Sequence, residues 1–452
     1  MLGYLPGSSK LPGRSHVWRE KMPLSLRDSI TQARTAGHLV EVESPTDPHL
    51  EMARLIYGHD GRPVLFNEVS GHPGWRVLAG MASAREYFAL ALGVPVEELI
   101  HRLAAALDRA SLHRPQVVTD APCQEVVEPD VDLTRLPILR HFPFDGGPYV
   151  TAGIVVVDDP DHGPNVSFHR LLRLDERRFA ARVVEKRGTD TALRKSESDL
   201  PVAICIGNSL PVLLAASMSP PMGVNELAIA NALAPLQVVP CKTVPLHVPA
   251  DCELVLEGRL THATAPEGPF VDLTETVDFV RQGPVVEIDC ITRRYNPIYQ
   301  ALLPGKLGHK LLMGMPKEPT IYAAVNAVCR CTNVAITPGG ASWLHAVVQI
   351  DKGGPDDGRA AIEAAFRGHG SLKHVVVVDT DVNPYDPAEV EWAIATRFQA
   401  DRDLVLLTDQ PGSSLDPSGH HEPGKKARTA KMGLDATIPW GEDRTTFEKV
   451  PY

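Results

Sequence analysis

The stretch "VTAGIVVVDD", Val150–Asp159, marks where the chain changes character. Before it, helical and strand patterns alternate. After it, as far as about Tyr299, short β-rich runs follow one another across turns: "LPVAICIG" (Leu200–Gly207), "LQVVPCKTVPLHVP" (Leu236–Pro249), "CELVLEGRL" (Cys252–Leu260) and "PVVEIDCITRRY" (Pro284–Tyr295). Runs rich in Val, Ile and Thr between turn residues read as strands, and a single helical pattern, "GVNELAIANALA" (Gly223–Ala234), interrupts them. The middle of the chain is therefore expected to be a barrel-like β domain rather than a βαβ array.

Outward from it, both flanks read as α/β. On the N-terminal side "SLRDSITQARTAG" (Ser25–Gly37) is a helix closed by a glycine, "HLVEV" and "RPVLFNEV" are strands, and "SAREYFALALG" opens with a Ser83-x-x-Glu86 capping box. "PVEELIHRLAAALDRA" gives a further helix, and a Pro- and acid-rich passage follows. On the C-terminal side come the strand "SWLHAVVQI", the helix "GRAAIEAAFRG" and the apolar strand "KHVVVVD". A helix then opens on Asp386 as N-cap, with Pro387 at its first position and Glu389 at its third. The expected class is α/β (α+β), divided into an arm (1–24), an N-terminal α/β domain (25–120), the β domain (121–305) and a C-terminal α/β domain (306–452).

The 452 residues are 43% apolar and 22% charged, enough for two or three cores. A net charge of −11 argues against nucleic acid as a partner. No apolar run approaches the ~18 residues of a membrane helix, and the N-terminus lacks the apolar centre of a signal peptide. The seven cysteines, with no CxxC spacing, read as reduced thiols in a cytoplasmic protein.

Three polar constellations stand out. In "GPNVSFHR" (Gly163–Arg170), Asn165 follows a Gly-Pro turn, and His169 and Arg170 sit in a strand-like run. Asn165 taken alone is a turn residue and His169 a half-buried structural histidine. Glu226 occupies the first turn of an otherwise apolar helix; it reads either as a favourable helix-dipole charge or as a ligand for a hard metal. In "APEGPFVDLTE" (Ala265–Glu275), Glu267 and Asp272 flank a Gly-Pro that breaks the strand's alternation. They read either as a solvated turn or as a pair of acids brought into one cavity, with Arg170 as the fixed cation between them.

Taken in order, the motifs "LPILRHFPFDGGPYVTAG", "NVSFHR", "LPVAICIGNSLPVLLAASM", "GVNELAIANAL", "EGPFVD", "VVVVDTDVNPYDPAEVEWAIATR" and "KMGLDAT" resemble the UbiD-type decarboxylases, which use prenylated FMN. The resemblance implies a central split β-barrel that holds the flavin and a C-terminal α/β oligomerisation domain. It implies that Asn165 and Glu226 hold a metal, usually Mn²⁺, at the cofactor phosphate, and that main-chain oxygens near Ser217 and Met218 meet K⁺. It sets Ser167, Phe168 and His169 beside the cofactor, with Lys373 as a further phosphate contact. It makes Arg170 the catalytic arginine, Glu267 its partner and Asp272 the general acid, partly buried and shorter than the Glu usual there. The third metal ligand of the family is usually a histidine about 20 residues past the Asn; here that neighbourhood reads "RVVEKRGTD", and Glu185 is the substitute expected. The implied reaction is reversible decarboxylation of an α,β-unsaturated acid (aromatic, heteroaromatic or alkenoic), with a UbiX-type flavin prenyltransferase supplying the cofactor and a homodimer or homohexamer as the assembly. A non-catalytic or accessory subunit of the same fold is the alternative.

Overall fold

The computed structural model describes residues 24–422, 425–447, 449 and 450. All but the last residue of the expected N-terminal arm lies outside them. The first helix, Leu26–Thr35, begins on Ser25, whose hydroxyl accepts from the Asp28 amide while Asp28 answers the Ser25 amide. It ends before Gly37, whose φ of +73° favours glycine. The expected capping box at Ser83 does not form. That hydroxyl instead donates to the Gly80 carbonyl at 2.6 Å, and the helix Arg85–Leu92 starts from Ala84 with no side-chain cap.

Four strands make the N-terminal sheet, in the order Val40–Val42, Val64–Phe66, Arg76–Ala79, Ile298–Ala301. The last runs parallel to Arg76–Ala79 and comes from the far end of the β region. The Gln116–Val117 strand, conversely, pairs with Gln237–Pro240. The two regions are thus interlaced rather than strung in series.

The β region is built on a nine-stranded sheet, with a small three-stranded sheet and a two-stranded hairpin beside it. Its spine is two long antiparallel strands, Leu254–Glu267 and Arg281–Arg293, whose register shifts twice, between Glu257 and Gly258 and between Leu260 and Thr264. Such bulges bend a strand and sharpen its twist. The hydrogen-bonded path is open, ending at Tyr149–Val150 on one edge and Gly163–Phe168 on the other. Alternation along these strands sends apolar side chains into two buried clusters, one against helices Leu210–Ser217 and Glu226–Leu233, the other against the N-terminal sheet. The C-terminal domain is a five-stranded sheet with helices Asp357–Gly368 and Pro387–Arg397, the second capped by Asp386 as expected, its carboxylate accepting from the Ala388 amide. No helix among the described residues is long and apolar enough to cross a membrane.

Candidate active site

The strand Leu254–Glu267 delivers Glu267 fully buried at its last position. Gly268 then turns the chain with a φ of +110°, and a two-by-two hairpin follows, Phe270–Val271 against Val277–Asp278. A Cβ on Gly268 would meet the Phe279 carbonyl at 3.0 Å, so the turn needs glycine. The bend brings both expected acids to Arg170. The arginine forks onto Glu267 through Nε at 2.7 Å and Nη2 at 2.9 Å, and its Nη1 donates to Asp272 at 3.2 Å.

Around this fork the structure adds groups that the sequence did not announce. Asp278, opposite Phe270 in the hairpin, accepts from Arg170 Nη2 at 2.8 Å and from Arg281 Nη2 at 2.6 Å. The Phe270 ring lies under the guanidinium, 4.5 Å from its centre. Tyr149 donates its hydroxyl to Glu267 at 3.3 Å and accepts from the Gly268 amide at 3.0 Å. His309 accepts the Gly305 amide at Nδ1, so its proton sits on Nε2 in the neutral ring. Burial holds this imidazole below its usual pKa, with Asp272 pulling the other way. For Arg170, burial opposes the charge, and the Glu267 carboxylate overcomes it, holding the guanidinium above its ordinary range.

A second polar cluster lies on the Gly163–Phe168 strand. Asn165, Ser167 and His169 follow at alternate positions. Ser167 and His169 meet at 3.0 Å, and Thr189 from the neighbouring helix joins His169 at 2.9 Å and Asn165 at 3.3 Å. His169 must donate from Nδ1 to the Arg182 carbonyl at 3.0 Å, which leaves Nε2 as an acceptor for the Ser167 and Thr189 hydroxyls. Burial pushes its pKa down to about 4, so the ring is neutral. Glu226, 6% exposed, reaches the same strand, accepting the Val166 amide at 2.9 Å. It has no cationic partner among the described residues, and burial pushes its carboxyl up to about 7.

A buried acid without a cationic partner among the described residues, bonded to the strand that carries Asn165 and His169, fits a hard cation. Among the described residues no three His, Cys, Asp or Glu side chains form a group that could hold a metal ion, so Asn165 or a ligand's own oxygens would have to complete such a shell. Glu185 is not joined to Asn165 or Glu226 by any hydrogen bond among the described residues. Its side chain is 67% exposed and lies 3.9 Å from Arg182. Ser217 and Met218 end the helix Leu210–Ser217, where main-chain carbonyls favour a cation. Phe168 packs, half-buried, against the core. Lys373 is engaged by Asp416 and Ser418 in the C-terminal domain. Lys317, half-buried and without an acid partner among the described residues, donates to Ser219 at 2.7 Å.

Comparison with known proteins extends this picture. The 3-octaprenyl-4-hydroxybenzoate carboxy-lyase N-terminal, Rift-related and C-terminal domain models match residues 30–107, 116–307 and 310–436. The anhydromevalonate phosphate decarboxylase of Methanosarcina mazei is 43% identical over 92% of this chain and 96% of its own, and that of Aeropyrum pernix 38% identical over 86% and 88%. Among solved structures, the UbiD-class enzyme HmfF from Pelotomaculum thermopropionicum in complex with FMN superposes with a TM-score of 0.89. It is 37% identical, with 95% of this chain and 97% of its own covered. The same enzyme in an evolved dimeric form carries prenylated FMN. The 3,4-dihydroxybenzoic acid decarboxylase of Enterobacter cloacae follows at 0.87, 29% identical over 95% and 96% of the two chains. This chain belongs to the UbiD family of carboxy-lyases.

Proposed function

We propose that this protein decarboxylates an α,β-unsaturated carboxylic acid with prenylated FMN, and that the acid is an alkenoic one bearing a phosphate. The observation that carries the reaction type is Arg170, largely buried and held among Glu267, Asp272 and Asp278. The phosphorylated alkenoic acid is favoured because relatives named for anhydromevalonate phosphate share 38–43% of their residues across most of the chain.

Prenylated FMN, when bound, supplies the electron sink that protein side chains lack. The chain's own residues orient the acid and move a proton. Arg170 meets the substrate carboxylate on its Nη1 side. Asp272, 23% exposed and least tightly held of the three acids, gives a proton to the carbon that loses CO₂. Glu267 fixes the arginine, and Tyr149 fixes Glu267.

At the other cluster, Asn165 and Glu226 would hold Mn²⁺, with His169 as the third protein ligand and the exposed Glu185 as the alternative. Main-chain oxygens at Ser217 and Met218 would hold K⁺. Ser167, Phe168 and His169 would lie beside the flavin, and Lys373 or Lys317 near its phosphate. A homodimer or homohexamer, a cytoplasmic location and a UbiX-type supplier of the cofactor belong to the same reading. Nothing in the geometry favours a non-catalytic subunit, since all three side chains of the acid–base network are present and joined.

The test is to co-express the chain with a flavin prenyltransferase, identify the bound flavin by mass and absorbance, and measure CO₂ release. CO₂ from anhydromevalonate phosphate, in preference to furan and benzoic acids, is the expected result. Release from aromatic acids alone would move the substrate class, and protein that takes up no prenylated flavin would end the reading.

A further inference from the structure

The five N–H donors of Arg170 are nearly all used within the protein. Nε–H and one Nη2–H go to Glu267, the second Nη2–H to Asp278, and one Nη1–H to Asp272. A single Nη1–H is left. A guanidinium can clasp a carboxylate bidentately through Nε and Nη2 or end-on through Nη1 and Nη2. Glu267 fills the first fork, and Asp278 closes the second.

We propose that Asp278 is a positioning residue that, by occupying Nη2 of Arg170, denies the substrate carboxylate a bidentate grip and confines it to Nη1, beside Asp272. This rests on the decarboxylase reading above. The physical reason lies in what the reaction does to charge. The carboxylate leaves as neutral CO₂, so a fork that grips the full anion stabilises the reactant more than the transition state and lowers kcat. A one-point contact binds less tightly and leaves the group free to depart.

Asp278 is built to stay in that position. Its side chain is 14% exposed. One oxygen faces Arg170, and the other accepts from Arg281 at 2.6 Å and from the Phe279 amide at 3.0 Å. Arg281 is itself fixed, opposite Glu267 in the register of the long strands and 4.4 Å over the Phe279 ring. Arg281 also offsets the added negative charge: two arginines now face three carboxylates.

The experiment measures binding of butyrate, a carboxylate with no double bond to react, to flavin-loaded protein by calorimetry, alongside kcat and KM for decarboxylation. Asp278→Ala is expected to bind butyrate about tenfold or more tightly, the worth of one further charge-assisted hydrogen bond, with KM and kcat both lowered. Asp278→Glu, which keeps the charge and the block, should return both toward wild type. Asp278→Asn preserves the side chain's shape and one acceptor; it should show a smaller gain in affinity and carries the test if the alanine variant does not fold. Unchanged or weaker butyrate binding with a raised KM in the Ala and Asn variants overturns the proposal. Wild-type protein that binds butyrate no better than Arg170→Met overturns it together with the decarboxylase reading. Wild-type protein that binds butyrate but releases no CO₂ from any unsaturated acid removes that reading alone, and the affinity order of the variants still decides the role of Asp278.

Discussion

Two glutamates, both nearly sealed from water, live in opposite electrostatic circumstances. Glu267 has its countercharge built in: a forked arginine, a tyrosine hydroxyl and no exposed surface. Glu226 receives a main-chain amide but no cation among the described residues, and its carboxyl is pushed up to about 7 by burial. The first is part of a finished protein network, and the second is half of a site that something else must complete. Burial alone does not define an acid's task; the presence or absence of a partner charge does.

The comparison is broken most severely at the chemistry. Asp272→Asn should lower kcat by about 10²–10⁴-fold, the usual worth of general acid catalysis, while the flavin content stays at the wild-type level. Deuterium incorporation from solvent at the former carboxyl-bearing carbon checks this directly. Undiminished incorporation would hand the proton to Glu267.

The two glutamates themselves should then diverge in sign. Glu267→Gln leaves Arg170 short of its main partner and should cost about 3–5 kcal/mol of stability, as broken buried pairs do. Glu226→Gln removes an uncompensated buried charge, so the metal-free protein should melt no lower than wild type at pH 8, while losing most of its metal and flavin. Chemical denaturation and metal analysis of both variants separate the two cases; equal destabilisation would erase the distinction.

A smaller effect follows from His309. Its pKa in the fold is below the unfolded value, so the stability it contributes is complete above about pH 6.5 and is lost as pH falls below that. Asp272 opposes the shift, so Asp272→Asn should steepen the fall in Tm between pH 7 and 5. A slope equal to that of wild type would mean the two groups do not interact.

The smallest effect is expected at Glu185. Exposed and facing Arg182, its replacement by Ala should change stability by no more than about 0.5 kcal/mol and leave metal occupancy intact. Loss of metal in that variant would instead make it the third ligand.

Much of this was legible in the sequence because the signals are local. Gly37 marks a helix end by its positive φ and Asp386 marks one by accepting an amide two residues on, and both act as expected. Ser83 carries a comparable local signal and fails, because the helix starts one residue later, from Ala84, and leaves the Ser83 hydroxyl to donate to the Gly80 carbonyl. The convergence of Glu267 and Asp272 on Arg170 was readable from the Gly-Pro break together with motif order. Asp278 was not, because its role depends on hairpin register: it lies opposite Phe270, and no spacing rule links it to a residue 108 positions earlier. The tautomer of His169 was hidden for a similar reason. Which ring nitrogen accepts is decided by the Arg182 carbonyl, a contact made only once the strands have paired.

The strand Ile298–Ala301, laid parallel beside Arg76–Ala79, has a consequence for how the protein is made. During synthesis the first domain emerges early, yet its sheet lacks a neighbour until roughly 220 residues later. At about 5–20 residues per second that interval is on the order of ten to forty seconds. Throughout it, the Arg76–Ala79 edge presents unpaired amides and carbonyls beside buried-type side chains such as Val77 and Leu78, the arrangement that invites pairing with other chains. A fragment ending before residue 298 should therefore aggregate where the full chain does not.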